Sequence, residues 1–397
     1  MMKSGKATTN IALSLAAIVL IFGYQNCGEF YLDALKVGQF GSLGAARSAG
    51  GVLVPSTDKI DANCLTSTAY DACIIKQNPV AASNSPLSAN ATTRRSQLAS
   101  QAIYGVKLTS LSGNGRLEND VLSVQSINSN GAMNTSPINL KSTPAATDSS
   151  AFEQVNAYYW MNRAAEYFDA RTKGALPAKG KKIRVIVDDT ITGYETESNT
   201  IRLKKTEASG AVAWNGDVSI HIFGVANLML ANPNGWRTLS ATTHRTCNAI
   251  DKGCCTAAAG CANAIRFGVG EYFAASMFPD RTRIGEGIAN TGNPQSIGGV
   301  ARNVAALSST AAQVFSTASG HAHALGLVYA SVWWKVRETA GSAASAEIDR
   351  IFLEHLSLLD GTDTFRTAIS KAKSVDARLY NGRHSGKFDT ELTARGL

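Results

Sequence analysis

Charge is scarce in this 397-residue sequence, and no part of it concentrates charge of one sign. Asp, Glu, Lys and Arg make up 17% of the residues, and the net charge of +8 is scattered along the chain. No basic block is interleaved with aromatic residues, which argues against a nucleic-acid partner. The low charge and the 44% of hydrophobic residues indicate a globular chain, long enough for a large core and two domains.

Several motifs of common enzyme classes are also missing. No Gly-x-Ser-x-Gly nucleophile elbow occurs, and the scattered glycines form no phosphate-binding loop after a strand. The cysteines include no paired Cys-x-x-Cys, the usual spacing of a structural zinc site. The apolar run at residues 11–23 is shorter than the roughly 20 residues that span a bilayer.

The apolar run at residues 11–23 is nevertheless informative about the N-terminus. Lys3 and Lys6 precede it and Cys27 follows it, which is the pattern of an export signal. In one interpretation Cys27 is an ordinary disulfide cysteine behind a secretory signal. In the other, the segment resembles a bacterial lipoprotein signal, residues 1–26, and Cys27 is the lipidated residue. No small-x-small cleavage site lies nearby, which favours the lipoprotein.

The lipoprotein resemblance is imperfect, because the three positions before the cysteine depart from the family's pattern. They hold Tyr24, Gln25 and Asn26 instead of Leu, a small residue, and Gly or Ala. The resemblance implies that Cys27 carries a diacylglycerol and further acyl chains such as palmitate. Gly28, which is not Asp, implies outer-membrane sorting. We therefore expect a lipid-anchored protein of the cell envelope, at the outer membrane, facing the periplasm or the cell surface.

The remaining cysteines number six and fall into two groups. An even number in an oxidising compartment predicts disulfides. Cys64 and Cys73 close a short loop and are expected to pair. The other four crowd into one short segment, where a zinc knot is the rival interpretation. They are Cys247, Cys254, Cys255 and Cys261.

Within that segment, chain geometry limits the possible bridges. Cys254 and Cys255 are adjacent, and their Cα atoms, about 3.8 Å apart, are closer than disulfide geometry usually allows. We therefore expect Cys247 to pair with one of them and Cys261 with the other.

The rest of the chain divides by pattern into an α+β layout. Residues 27–100 are rich in Ser, Ala and Asn and predict a tether that carries one disulfide loop. Residues 101–145 alternate and predict short antiparallel strands. Further strands are predicted at about 181–190 and 199–205. Helices are predicted at about 151–172, 217–231, 262–278, 300–315, 321–340, 345–359 and 363–373.

The order of six segments resembles the thermolysin-like and fungalysin-like zinc metallopeptidases, the gluzincins, over residues 101–375. They are FEQVNAYYWMNRAAEYF, RVIVDD, NTIRL, GDVSIHIFG, AIRFGVGEYFAASM and GHAHALGLVYASVWWKVRE. The resemblance implies a thermolysin-like α+β fold: a β-rich N-terminal part with a substrate-binding edge strand, and a mostly helical C-terminal part. It makes 101–150 a propeptide-like segment, 151–375 a metallopeptidase-like domain and 376–397 a C-terminal tail.

Carried over residue by residue, the resemblance implies a degenerate active site. The first zinc ligand is kept as His221. The other positions are the general base at Ile222, the second zinc histidine at Val225, the glutamate ligand at Phe267, the orienting aspartate at Glu271, and the transition-state histidine at His323. The backbone-binding Asn-Ala of the edge strand falls near Thr192 and Gly193, which also depart from the family's pattern.

These losses predict a domain without metal or catalysis. Zinc catalysis needs about three protein ligands and an activated water. One histidine alone would hold zinc at roughly millimolar affinity. We therefore interpret His221 as a buried neutral histidine, with Glu271 as a candidate hydrogen-bond partner. The alternative is a rearranged zinc site of His221, Glu271, His321 and His323.

Three functions remain open from the sequence. The first is an exported lipoprotein whose inactive metallopeptidase-like domain is a binding or structural module, with a peptide or protein partner at the vestigial cleft. The second is an active zinc metallopeptidase with a rearranged site, and the third is an unrelated envelope protein. Surface or packing roles are expected for the other histidines and core positions for three aromatic residues. These are His244, His355, His384, Trp333, Trp334 and Tyr329.

Overall fold

The computed structural model describes residues 64–397 with some gaps. The gaps are 89, 91, 94–95, 98–102, 114, 128–132, 135–138, 145–149, 175, 206–210, 237–257, 281, 290–294, 298 and 319–320. Cys27, His244 and the expected signal peptide lie outside the described residues. Within them, no helix combines the length and the apolar character needed to cross a bilayer.

The described residues form an α+β fold whose C-terminal half is mostly helical, which confirms the predicted α+β class and the predicted helical C-terminal part. The strands are β1 (Ala72–Ile75), β2 (Ile103–Val106), β3 (Leu122–Ile127), β4 (Met133–Asn134), β5 (Ile183–Asp189), β6 (Gly193–Glu195), β7 (Thr200–Lys204), β8 (Ser296–Ile297) and β9 (Val300–Ala301). The helices are α1 (Pro79–Ser83), α2 (Ala151–Thr172), α3 (Gly216–Ala231), α4 (Pro233–Trp236), α5 (Ala258–Met277), α6 (Glu286–Ala289), α7 (Ala311–Thr317), α8 (Ala322–Ala340), α9 (Ser345–His355), α10 (Phe365–Tyr380) and α11 (Ser385–Ala394).

Five strands form one mixed sheet in the order β4-β3-β5-β7-β6. The three inner strands β3, β5 and β7 run parallel, whereas β4 and β6 at the two ends are antiparallel to their neighbours. A parallel pair needs a crossover connection, and the long helix α2 supplies it between β3 and β5. Helix α2 packs against both of these strands. The antiparallel strand β6 therefore lies at one edge of the sheet.

Part of the segment expected to be a tether, including β1 and α1, is packed into the fold. All four side chains of β1 are buried, and β1 pairs antiparallel with β2. The backbone N–H of Ile75 donates to Asn156 Oδ1 at 2.8 Å, and the indole N–H of Trp160 donates to the carbonyl of Ile75 at 2.8 Å. Cys64 and Cys73 form a disulfide with a Cα–Cα distance of 5.7 Å. These contacts to α2 correct the tether prediction for this part of the chain.

The strands predicted at residues 101–145 are only partly antiparallel. β1 with β2 and β3 with β4 are antiparallel pairs, but β3 runs parallel to β5. Helix α2 returns the chain to the same end of the sheet, which makes β3 an inner strand. Residues 122–127 are therefore part of the central sheet of the domain.

Three helices cross closely in the C-terminal half, with α5 packed between α3 and α8. Glycine permits both crossings. A Cβ atom on Gly270 would lie 2.6 Å from the carbonyl oxygen of His221, and one on Gly268 would lie 2.6 Å from that of Gly326. The two approaches bring the middle of α3, the middle of α5 and the first part of α8 together.

The helix predicted at 300–315 is correct only at its end. Residues 296–301 form the hairpin of β8 and β9 instead, with Gly299 at φ +82° in the turn. Helix α7 begins at Ala311, where the Thr310 hydroxyl accepts from the backbone N–H of Gln313 in a capping box. The turn and the cap override the apolar pattern that predicted one continuous helix.

The predicted C-terminal tail is helical and packed. Helix α10 continues to Tyr380, ends at Asn381 in the left-handed conformation, and is followed by α11. The buried ring of Phe388 packs edge-on against Trp333 with centroids 5.0 Å apart. Arg395 Nε donates to Ser331 Oγ at 3.0 Å. Residues 376–397 therefore extend the helical half of the domain.

Candidate functional site

Helix α3 carries the first candidate residue, and its start is fixed by a buried carboxylate. Asp217 Oδ2 accepts hydrogen bonds from Asn78 Nδ2 at 2.9 Å and from the backbone N–H of Gly285 at 3.1 Å. Burial raises the pKa of Asp217 to about 6, against the opposing effect of these hydrogen bonds. The bonds join α3 to α1 and to the loop before α6, so the position of His221 one turn later is fixed.

His221 is buried, with 4% of its surface exposed, and it faces α5. Its Nδ1 atom lies 3.4 Å from Glu271 Oε1 and 3.5 Å from Arg302 Nη2. Burial, followed by the charges of Arg302 and Arg266, lowers the pKa of His221 well below its usual value. The imidazole is therefore neutral. Because a guanidinium can only donate, Nδ1 can accept from Arg302 only in the tautomer that carries its proton on Nε2.

Glu271 lies fully buried on α5, one turn after Phe267. Its Oε1 atom accepts from Arg302 Nη2 at 2.7 Å and from Arg302 Nε at 3.0 Å. Its second oxygen, Oε2, is buried without a hydrogen-bond partner. Burial raises the pKa of Glu271, and the charge and hydrogen bonds of Arg302 oppose that rise. The site therefore contains a buried ion pair with one unsatisfied carboxylate oxygen.

Arg302 follows β9 and is 3% exposed. Its backbone N–H donates to the carbonyl of Gln295 at 2.8 Å, and its carbonyl accepts from the N–H of Ile284 at 2.9 Å. Its Nη1 atom donates to Gln295 Oε1 at 2.6 Å. Backbone and side-chain bonds together hold the guanidinium against Glu271.

Arg302 is the functional residue that the sequence analysis missed. It falls within the stretch predicted to be a helix, and no motif marks it. One signal was present: Arg302 is the only Asp, Glu, Lys or Arg between residues 287 and 334. A lone charge in so long an uncharged stretch requires a partner if it is buried.

Helix α8 brings His323 into the site but leaves His321 outside it. His321 precedes the helix, and its Nδ1 accepts from the backbone N–H of His323 at 3.3 Å. The ring of His323 stacks on Phe267 with centroids 3.4 Å apart, and lies 5.7 Å from the ring of His221. One ligand atom each of His221, Glu271 and His323 fall within 4.8 Å of one another. Three of the four residues of the rearranged site are therefore adjacent.

The neighbours of this cluster are apolar or cationic. Ile222 and Val225 are buried on α3 and offer no polar side-chain atom, so neither can act as an acid or a base. Phe267 is half-buried. The guanidinium of Arg266 lies 6.0 Å from the Phe267 ring, and its Nε atom is buried without a hydrogen-bond partner. Burial lowers the pKa of Arg266.

The expected edge strand is β6, next to β7 at the end of the sheet. Gly193 opens it at φ +156°, and Thr192 Oγ1 accepts from the backbone N–H of Lys204 at 3.1 Å. Ile191, just before the strand, is 56% exposed although it is apolar. The edge of the sheet at β6 therefore presents the backbone of this strand and, just before it, the apolar side chain of Ile191.

The other sequence-predicted residues lie away from the cluster or outside the described residues. His355 and His384 are buried, and His355 Nε2 lies 2.9 Å from the hydroxyl of Tyr329. The three aromatic residues predicted for the core are buried: Trp333, Trp334 and Tyr329. Cys261 is buried in α5. Its expected partners lie outside the described residues, so the two bridges of the second group stay predictions: Cys247, Cys254 and Cys255.

No family model and no curated protein matches the sequence. The chemistry of the site is therefore interpreted from its own geometry.

The arrangement does not fit a zinc ion as it stands. Two ligands about 2.0–2.1 Å from a tetrahedral zinc lie about 3.3 Å apart. The separation of 3.4 Å between His221 Nδ1 and Glu271 Oε1 meets that spacing. However, Arg302 Nη2 contacts both of these atoms, at 3.5 and 2.7 Å. The guanidinium thus takes the space and the electrostatic role that a metal cation would have.

Proposed function

We propose that this chain is an exported lipoprotein of the cell envelope with a catalytically inactive, thermolysin-like metallopeptidase domain. The domain acts as a binding or structural module. The observation that carries the proposal is the buried ion pair of Arg302 and Glu271 at the vestigial metal position. A fixed cation beside His221 takes the place of the metal, so no metal-bound water forms there.

The chemistry of the neighbouring residues supports the same proposal. A zinc peptidase needs a general base beside the metal, and Ile222 cannot accept a proton. The second and third ligand positions hold Val225 and Phe267. Glu271 is already neutralised by Arg302, which leaves no free carboxylate in the cluster to replace the base.

The binding role is supported by the edge of the sheet. Among the described residues, β6 has no strand on its outer side. Such an edge can accept an extended peptide by strand addition, with backbone hydrogen bonds providing affinity. Ile191 adds an exposed apolar contact at the start of this strand. A peptide segment of an envelope protein is therefore the class of partner that we propose for this cleft.

A second candidate is an active zinc metallopeptidase with a rearranged site. It is favoured by the adjacency of His221, Glu271 and His323 and by the unsatisfied Oε2 atom of Glu271. It requires Arg302 to leave Glu271 when a metal binds. The two candidates therefore differ in whether the wild-type chain holds zinc.

Elemental analysis and a protease assay on the purified full chain separate them. We expect no stoichiometric zinc and no cleavage of casein or of peptide libraries, with or without added zinc. Chelator-sensitive cleavage, or stoichiometric zinc that is lost in the His323→Ala variant, would establish the second candidate.

The anchor is tested separately, on the protein extracted from membranes. Mass spectrometry of the mature N-terminus should find Cys27 as the first residue with a thioether-linked diacylglycerol. An unmodified peptide that starts at another residue would rule out the lipoprotein part of the proposal and leave the domain part standing.

A further inference from the structure

We infer that Arg302 closes a latent divalent-metal site formed by His221, Glu271 and His323, and that removing its guanidinium opens this site to cobalt or zinc. The inference rests on the proposed function, because it treats the cluster as a metal site whose cation has been replaced by a side chain. It adds that Arg302 is the residue that replaces the cation, and that His221, Glu271 and His323 can still bind a metal.

The first argument is charge. Glu271 is fully buried, and a buried carboxylate requires a compensating cation or a proton. Arg302, itself 3% exposed, supplies that cation through two hydrogen bonds to one oxygen. A divalent ion at the same place would meet the guanidinium at close range, so the two cations exclude each other.

The second argument is the donor set. Two imidazoles and a carboxylate are ligands that zinc and cobalt accept. The ligand atoms of the three residues lie within 4.8 Å of one another, so small side-chain rotations suffice to share one ion. The donor set is therefore complete without the residues that the chain lacks.

The third argument is the buried Oε2 atom of Glu271. It has no hydrogen-bond partner, whereas Oε1 receives both bonds from Arg302. Arginine often binds a carboxylate through both oxygens, which would satisfy Oε2 as well. Here the guanidinium binds Oε1 only, so the lone pairs of Oε2 are not used by a hydrogen bond.

The test is cobalt binding by the full chain with Arg302→Leu, which removes the charge and adds no ligand atom. We expect this variant to bind cobalt with one-to-one stoichiometry and a visible absorption band. Its affinity should exceed that of the wild type by at least about 100-fold, because three ligands replace weak single contacts. Cobalt should raise the melting temperature of the variant and leave that of the wild type unchanged.

Two controls locate the effect. Arg283→Leu removes an arginine from another pair with a fully buried glutamate, Glu286, and should gain no cobalt binding. Adding His323→Ala to Arg302→Leu should abolish the absorption band. Arg302→Gln, which can still donate a hydrogen bond to Glu271, provides a second variant that opens the site.

Each outcome decides the inference. A folded Arg302→Leu or Arg302→Gln chain that binds no cobalt would overturn it. If Arg302→Leu unfolds, refolding with and without zinc replaces the titration: recovery only with zinc supports the inference, and recovery in neither condition contradicts it.

The proposed function fails by a different result, namely stoichiometric zinc in the wild type. If the wild-type chain holds no zinc and the folded variants bind no cobalt, the inference fails and the proposed function still stands. Cobalt binding that survives His323→Ala would also contradict it, because the ion would then lie elsewhere.

Discussion

In our proposal Ile222 takes the position of a peptidase's general base, and its surroundings suit an apolar side chain. It is 5% exposed on α3, and Val225 on the same helix is also buried. Burial of apolar surface contributes roughly 25 cal/mol per Å² removed from water, so both side chains stabilise the packing of α3. The residue that ends catalysis in our proposal therefore also contributes to the core.

Replacing Ile222 by Glu should lower the free energy of unfolding by about 1–3 kcal/mol in the absence of metal, because it buries a polar group without a partner. The control is Ile222→Leu, a volume-conserving change that should cost less than about 1.5 kcal/mol. Urea denaturation of the three proteins at neutral pH measures both changes. An Ile222→Glu chain as stable as Ile222→Leu would mean that this position faces water.

At this scale, the sequence predicted some residues of the site and not others. Glu271 was predicted as a candidate partner of His221 because the resemblance placed it where an aspartate would orient the first histidine, and His221 Nδ1 lies 3.4 Å from Glu271 Oε1. The approach of His323 depends on where α8 begins, and that start is set by His321 and not by the helix pattern. Arg302 follows the hairpin of β8 and β9, and its partner Glu271 is distant in the sequence. Patterns of neighbouring residues could therefore not place it.

Among the elements, the crossing of α3 and α5 determines the geometry of the site. Gly270 faces the backbone of His221, and Gly224 faces Phe273, whose Cγ would lie 2.7 Å from an added Cβ. Side chains at either glycine would separate the two helices. The 3.4 Å contact between His221 and Glu271 depends on that close approach.

Gly270→Ala should therefore destabilise the protein, although alanine favours helices more than glycine does. The added Cβ would lie 2.6 Å from a backbone oxygen, which cannot move independently, and overpacking of this kind typically costs about 1–3 kcal/mol. Gly386→Ala is the matched control in α11, because no atom lies within 4 Å of its added Cβ. There the helix propensity of alanine should stabilise by about 0.5–1 kcal/mol.

Opposite signs in thermal denaturation would support this account of the crossing. A neutral or stabilising Gly270→Ala would show instead that α3 and α5 are more loosely packed than the structure has them.

Long periodic elements were predicted well, and short elements were not. Helix α2 was predicted at its observed bounds because it carries a broad apolar stripe over 22 residues. β1 and α1 were predicted as tether because the surrounding segment is rich in Ser, Ala and Asn, whereas their order comes from packing of β1 on α2 and of α1 on α6. Residues 300–301 of β9 were predicted as the start of a helix, but they follow the turn at Gly299 and pair with β8.

In the molecule as a whole, one buried carboxylate joins four helices. Asp349 of α9 accepts from Arg171 Nε at 2.8 Å and from the hydroxyl of Tyr167 at 2.9 Å, both on α2. It also accepts from the hydroxyl of Tyr272 on α5 at 2.7 Å and from Arg337 Nε on α8 at 3.1 Å. The cluster holds α9 against the three helices that carry or support the site.

The electrostatics of this cluster set a direction for the pH dependence of stability. Burial by itself would raise the pKa of Asp349, but the charges of Arg337 and Arg171 and the two tyrosine hydrogen bonds lower it overall. The unfolded chain therefore takes up the proton at a higher pH than the folded chain does. The stability contributed by Asp349 is present above its unfolded pKa, near 3.8, and is lost as the pH falls towards the folded value.

Asp349→Asn should consequently lower the free energy of unfolding strongly at neutral pH. It should also reduce the further loss of stability between neutral and acidic pH, because the titrating carboxyl group is gone. The amide keeps the shape of the side chain but leaves two buried or half-buried arginines without their anion, a loss of about 3–5 kcal/mol. The control is Asp389→Asn, which removes an exposed pair with Lys373 and should change stability by less than about 0.5 kcal/mol. Urea unfolding at pH values from neutral to acidic measures both effects. Equal losses of stability in the two variants would show that the four-helix cluster contributes no more than a surface ion pair. The same would follow if the stability of Asp349→Asn fell towards acidic pH as much as that of the wild type.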